Sequence, residues 1–242
     1  MRKFLISTIL LIVMLAACAP MQTTSEAEAP ADEIPATVPP VATDTAKPMD
    51  PIEESVVKRL AENLELNESD ISVVSNKTVE FTDACLGITM QDVKCAQVTT
   101  LGQIITLEAD NIEYEYRTDR SGKRIQPATL ALTWKREGGI AGFCDHLMVF
   151  RSGEVYAYKC DAQADAKIDS FANLLSTNEL TQFNAWITEF NQVTLDVSDP
   201  KGVSDRMEVV LELHGVGKEK PSDAEQQELI AWAQDLFQEL YS

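Results

Sequence analysis

Basic residues are scarce in this 242-residue chain: 20 Lys and Arg stand against 39 Asp and Glu, a formal net charge of −19. Neutralising nucleic-acid phosphates takes clustered cations, so this balance excludes nucleic acid as a partner. It also disfavours electrostatic attachment to an anionic membrane surface. Acidity of this kind serves solubility or cationic partners. Histidine is scarcer still, at His146 and His214. Asp145 beside His146 does not begin a catalytic triad, because adjacent strand residues point to opposite faces. The chain has no Gly-x-Ser-x-Gly, no phosphate loop, no His-Glu-x-x-His and no dinucleotide fingerprint. The expectation is a non-enzymatic protein with no catalytic residue, no cofactor and no metal.

Long apolar runs are missing too. The one candidate, Phe4 to Leu15, is broken only by Ser7 and Thr8. At about a dozen residues it is too short to span roughly 30 Å of hydrocarbon. Arg2 and Lys3 precede it and the small residues Ala16 and Ala17 follow, the order of a secretory signal. Leu15-Ala16-Ala17-Cys18 resembles the bacterial lipobox. That resemblance implies a signal peptide over 1–17, cleavage before Cys18, and diacylglyceryl and acyl chains (palmitate among them) on the new N-terminal cysteine. Two or more chains make such an anchor persistent. The bilayer is then a partner through Cys18, on the extracytoplasmic face of the membrane. Ala19 and Pro20 stand where the resemblance associates Asp with inner-membrane retention, so an outer membrane is the destination if the organism has one.

Aromatics are absent from Ala19 to Asp50, a stretch rich in Thr, Ala, Pro, Glu and Asp. It offers too little apolar surface to offset its ordering entropy, so 18–50 reads as a disordered tether. Cysteine is sparse but even in number. Setting Cys18 aside leaves Cys85, Cys95, Cys144 and Cys160, and an even count in an exported chain implies disulfides. Three pairings exist. The local one, Cys85 with Cys95 and Cys144 with Cys160, fits best because a domain junction separates the couples. Each loop then contributes up to roughly 3 kcal/mol in the chain-entropy model. The rival four-cysteine metal site usually has closer spacing within each couple.

The remainder reads as α+β, two small helix-on-antiparallel-sheet domains over 51–123 and 126–242. In the first, Pro51 opens a helix, with Val56, Val57, Leu60, Leu64 and Leu66 as its apolar stripe. Ile71 to Phe81, Gln97 to Glu108 and Ile112 to Arg117 form about three strands, with Asp110-Asn111 at a turn. Tyr114 and Tyr116 share one face there. In the second, strands are expected at Thr129 to Lys135, Phe143 to Phe150, Val155 to Cys160 and Met207 to Leu213. Ser176 with Glu179 and Ser222 with Glu225 have the spacing of capping boxes. Leu180, Phe183, Trp186, Ile187 and Phe190 line one helix. Leu229, Ile230, Ala233, Leu236, Phe237 and Leu240 line another. Ala162 to Leu175 is a short helix or an irregular crossing.

The most unusual local feature is Arg136-Glu137-Gly138-Gly139-Ile140-Ala141-Gly142. Three glycines in five residues permit left-handed backbone and close approach by another chain. It is a hairpin turn, or a turn that also serves as a partner-contact loop built on Arg136, Gly138, Gly139, Ala141 and Gly142.

Two resemblances join these readings. The order of the first domain and its close, Tyr116-Arg117-Thr118-Asp119-Arg120-Ser121-Gly122-Lys123, resemble PepSY and cystatin-like domains. Arg136, Gly138, Gly139, Ala141 and Gly142, with the element order after them, resemble emfourin-like inhibitors of bacterial metallopeptidases. The second resemblance implies an extracellular peptidase as partner and the glycine-rich loop as the contact. Beside it stands the simpler expectation of a monomeric binding module for some other protein.

Overall fold

The computed structural model describes residues 49–88, 95–159 and 173–240. These belong to one compact unit, Lys47–Ser242. Among the described residues are three α-helices and two antiparallel sheets, of four and six strands, which is the expected α+β class. Cys18, Cys160 and most of the ambiguous 162–175 stretch lie outside the described residues. Among the described residues no helix is long and apolar enough to cross a membrane.

The first layer is helix α1 (Pro51–Leu64) on strands β1 (Ser72–Phe81), β2 (Thr100–Ala109), β3 (Ile112–Asp119) and β4 (Ile125–Pro127), paired in that order. The helix starts where it does because Asp50 accepts a hydrogen bond from Ile52 N at 2.8 Å, while Glu53 accepts one from Asp50 N. This capping box satisfies amide donors that have no partner inside the helix. Val56, Val57, Leu60 and Ala61 then bury themselves against Ile105, Leu107, Tyr114 and Tyr116. The expected strand at Gln97 begins only at Thr100, and β4 is a fourth strand where about three were expected. Three residues are too few for a periodic signal. β4 forms because its pairing with Thr118, Arg117 and Tyr116 covers the edge of β3.

The second layer holds β5 (Leu130–Gly138), β6 (Phe143–Phe150), β7 (Glu154–Lys159), β8 (Asn173–Leu174), α2 (Thr177–Glu189), β9 (Gln192–Asp196), β10 (Met207–His214) and α3 (Asp223–Leu240). Its strand order is β8-β7-β6-β5-β10-β9. Both expected capping boxes form, Ser176 with Glu179 and Ser222 with Glu225. Alternation sends Leu132, Trp134, Leu147, Val149, Leu211 and Leu213 to one face, where Phe183, Ile187, Leu229 and Phe237 of the helices cover them. The other face carries Met148, Tyr156 and Tyr158, and Ile88 packs there.

Ile88 belongs to the loop after β1, so the first layer reaches onto the second. The loop is closed by a disulfide between Cys85 and Cys95, whose Cα atoms lie 5.6 Å apart. Arg117 donates to the carbonyls of Leu86 and Gly87, and Arg124 donates to that of Ala84. Leu64 packs against both main cores. A polar knot joins the same two layers. Glu154, only 1 % exposed, accepts hydrogen bonds from Arg59 Nε at 2.7 Å, from Tyr116 Oη at 3.2 Å and from Ser152 Oγ. Arg59 also donates to the Ile125 carbonyl at 2.6 Å.

Burial pushes the Tyr114 hydroxyl up to about 12 from an ordinary 10.0. Tyr116 is raised well above 10.0, first by burial and then by the Glu154 charge. Between these values the unfolded chain releases protons that the folded chain keeps. The stability these groups contribute is therefore complete below pH 10 and is lost as pH rises toward about 12. Tyrosinate absorbance of the native chain should lag that of the urea-unfolded chain over this window. Tyr114→Phe should flatten part of the alkaline fall in stability. Native Tyr114 and Tyr116 ionising together with the unfolded chain would contradict the burial argument.

Candidate contact site at the glycine-rich turn

The β5–β6 hairpin carries the site. Its strands pair in register from Leu132↔Val149 to Gly138↔Phe143. At the last pair the chain turns through Gly138, Gly139, Ile140, Ala141 and Gly142. Gly138 has φ +84, and a Cβ there would lie 2.4 Å from the Arg206 carbonyl oxygen. No other residue fits that backbone. Gly139 N donates to the same Arg206 oxygen at 3.1 Å, and Gly142 N donates to the Gly139 carbonyl at 3.0 Å. The turn is thus tied to the connection between β9 and β10.

Arg136 stands at the base of the turn and points inward. Its Nε and Nη2 both donate to Asp145 Oδ2, at 2.9 and 2.5 Å, and Asp145 is buried. The guanidinium lies 4.0 Å from the Phe143 ring centroid and 5.7 Å from that of Trp134. A cation over an aromatic face, paired with a carboxylate, holds both partners in place. Arg136 is a buttress, then, while Gly138 and Gly139 shape the backbone. The side chain that meets solvent is Ile140, 91 % exposed at the tip. Phe143, Val197 and Val203 are further exposed apolar groups at this end of the sheet. Val197 donates its N–H to Val209 O, and Asp199 donates to Met207 O, which brings their connection alongside the turn.

Sequence reasoning found the glycines, Arg136 and Ala141 but passed over Ile140, Val197 and Val203. The signal for Ile140 was present, since an isoleucine between glycines at a turn has no core to enter. Val203 gave no signal, because its neighbourhood follows from the pairing of β10 with β5, which is not local.

On the opposite side of the hairpin, Lys135 Nζ reaches Glu208 at 2.5 Å and Glu137 at 4.0 Å. The hydrogen bond to Glu208 raises the lysine above its ordinary value and lowers the carboxyl below its own. His146 is buried there. Its Nε2 lies 3.0 Å from Glu137 Oε1, and its ring stacks on Tyr158 with centroids 4.8 Å apart. The two histidines are not brought together. His146 is level with Val210 across β5, and His214 lies four residues further along β10, roughly 13 Å at strand rise. Among the described residues, two groups have metal-ligand chemistry: Asp83 with Cys85 and Cys95, and Glu137 with Cys144 and His146. The first pair of sulfurs is joined, and Cys144 is disulfide-bonded as well. Neither group offers a thiolate in this state.

Residues 53–127 match a family described as a domain of unknown function (DUF8738). The match runs from the first turn of α1 to the end of β4, and so covers the first layer without the glycine-rich turn. No curated protein and no solved structure matches the chain.

Proposed function

We propose that this chain is a lipid-anchored, extracytoplasmic, non-enzymatic binding module that meets its partner with the end of the six-stranded sheet. The observation that carries the reading is Ile140, 91 % exposed on a turn whose backbone is fixed on both sides. Exposed apolar groups gathered at one place mark contact surfaces, and loops on a rigid sheet are where recognition concentrates. The separation of His146 from His214 supports a role without catalysis. The N-terminal run, the lipobox resemblance at Cys18 and the acidic tether support the anchor and its extracytoplasmic side.

A second reading is favoured by the stiffness of the turn. A peptidase inhibitor needs a projecting segment whose shape is set before binding, which lowers the ordering cost on association. The Arg136–Asp145 pair beside Phe143 and the Gly139 hydrogen bond to the Arg206 carbonyl support that shape.

Cys18→Ala should move the chain from the detergent-rich phase to the aqueous phase. Unchanged membrane partitioning would overturn the anchor. For the contact surface, a photo-crosslinking residue at position 140 of the anchored chain should give discrete adducts that the same group at position 216 does not. Purified thermolysin-type peptidases separate the two readings. Under the inhibitor reading they lose activity to the native chain, and Ile140→Glu weakens this about tenfold or more at unchanged stability. Adducts at 140 with undiminished peptidase activity leave the binding module alone standing. Equal crosslinking from 140 and 216 would remove the surface from both readings.

A further inference from the structure

Glu137, Cys144 and His146 leave the same face of the six-stranded sheet, opposite the helices. Glu137 and Cys144 are direct partners across the β5–β6 ladder, and His146 follows two residues along β6. His146 Nε2 lies 3.0 Å from Glu137 Oε1 and 3.7 Å from Cys144 Sγ. The three donor atoms are all within 4.8 Å of one another. A tetrahedral zinc centre with ordinary bond lengths places its nitrogen about 3.4 Å from an oxygen ligand and about 3.6 Å from a sulfur ligand. The spacing here is already close to that. The imidazole is also held in orientation, with Tyr158 stacked on it at an interplanar angle of 12°. The sulfur of Cys144 is held in a disulfide.

We propose that reduction of the Cys144 disulfide turns this corner of the sheet into a binding site for a zinc-class divalent ion. A dithiol reductant supplies two electrons and two protons. The protein S–S bond breaks, each sulfur becomes a thiol, and the dithiol closes to its own disulfide. Metal binding then displaces the Cys144 proton to solvent and forms the metal–sulfur bond. The Glu137 carboxylate and the neutral His146 Nε2 supply the second and third ligands, and water holds the fourth position. One thiolate and one carboxylate balance a dication, so the loaded centre is neutral. That matters at His146, only 3 % exposed, where uncompensated charge is costly. The bound ion in turn protects the thiolate from reoxidation, which makes the disulfide and the metal mutually exclusive occupants of Cys144.

The full chain can be tested with cobalt(II) as a coloured stand-in for zinc. After phosphine reduction, one equivalent should give a thiolate-to-cobalt charge-transfer band and tetrahedral visible bands, both discharged by zinc. The oxidised chain should give neither. Cys144→Ser should abolish the charge-transfer band, and His146→Ala should weaken cobalt binding about tenfold or more. A chain carrying Cys85→Ser and Cys95→Ser should keep the full signal, which separates this site from the other cysteine pair. Absence of the band in the reduced native chain would overturn the proposal. So would a band of undiminished affinity in His146→Ala, or one that disappears with Cys85 and Cys95.

Discussion

One buried carboxylate sets the terms for the rest of the structure. Glu154 begins β7 in the second layer, yet Arg59 and Tyr116, two of its three hydrogen-bond donors, belong to the first. Burying a carboxylate is costly unless it is paired and hydrogen-bonded. Its environment is complete only when α1 and β3 lie against β7 in one arrangement. The Arg59 bond to the Ile125 carbonyl carries the same constraint to β4. Apolar contacts follow from this placement: Leu64 joins both cores, and Ile88 enters the Met148, Tyr156 and Tyr158 cluster. Two layers, each with its own core, are held as one unit by a polar knot and two apolar bridges.

That arrangement leaves the far end of the six-stranded sheet for other uses. The helices cover one face and the first layer's disulfide-closed loop packs on the other. The turn at Gly138 to Gly142 projects beyond both. The pairing of β10 with β5 brings the Arg206 carbonyl against Gly138, and the Arg136–Asp145 pair fixes the strands just below. Rigidity at the base and an apolar side chain at the tip are two products of one piece of sheet chemistry. The face opposite the helices adds a third feature, the Glu137, Cys144 and His146 corner, whose chemistry depends on the oxidation state of one sulfur.

Much of this was legible in the sequence where the physics is local. The capping boxes at Ser176 and Ser222 are signals read over three residues, and the one at Asp50 has the same spacing but shows only in the structure. The helix stripes follow a 3.6-residue period, and the Tyr114 and Tyr116 face follows a period of two. The disulfide between Cys85 and Cys95 is the local pairing expected from an even cysteine count with a junction between the two couples. The rest was not local. β4, β8 and β9 have three, two and five residues, and exist because a neighbour offers an edge. Glu154 follows Ser152-Gly153 and looks like a solvated turn residue. Its burial is decided by Arg59, 95 positions earlier. At the site, the glycines announce the turn, but the support Arg136 gives it is not local, because its partner Asp145 lies across the ladder.

The dependence of both layers on Glu154 can be measured by unfolding the chain in urea with two probes. The three tryptophans, Trp134, Trp186 and Trp232, all lie in the second layer, so their emission reports that layer alone. Far-ultraviolet circular dichroism reports both. The account predicts coincident transitions in the native chain. It also predicts that Glu154→Ala shifts both together, by about 2–3 kcal/mol, because Arg59 and Tyr116 lose their shared acceptor. Separate transitions in the native chain, or a Glu154→Ala chain as stable as the native one, would contradict it.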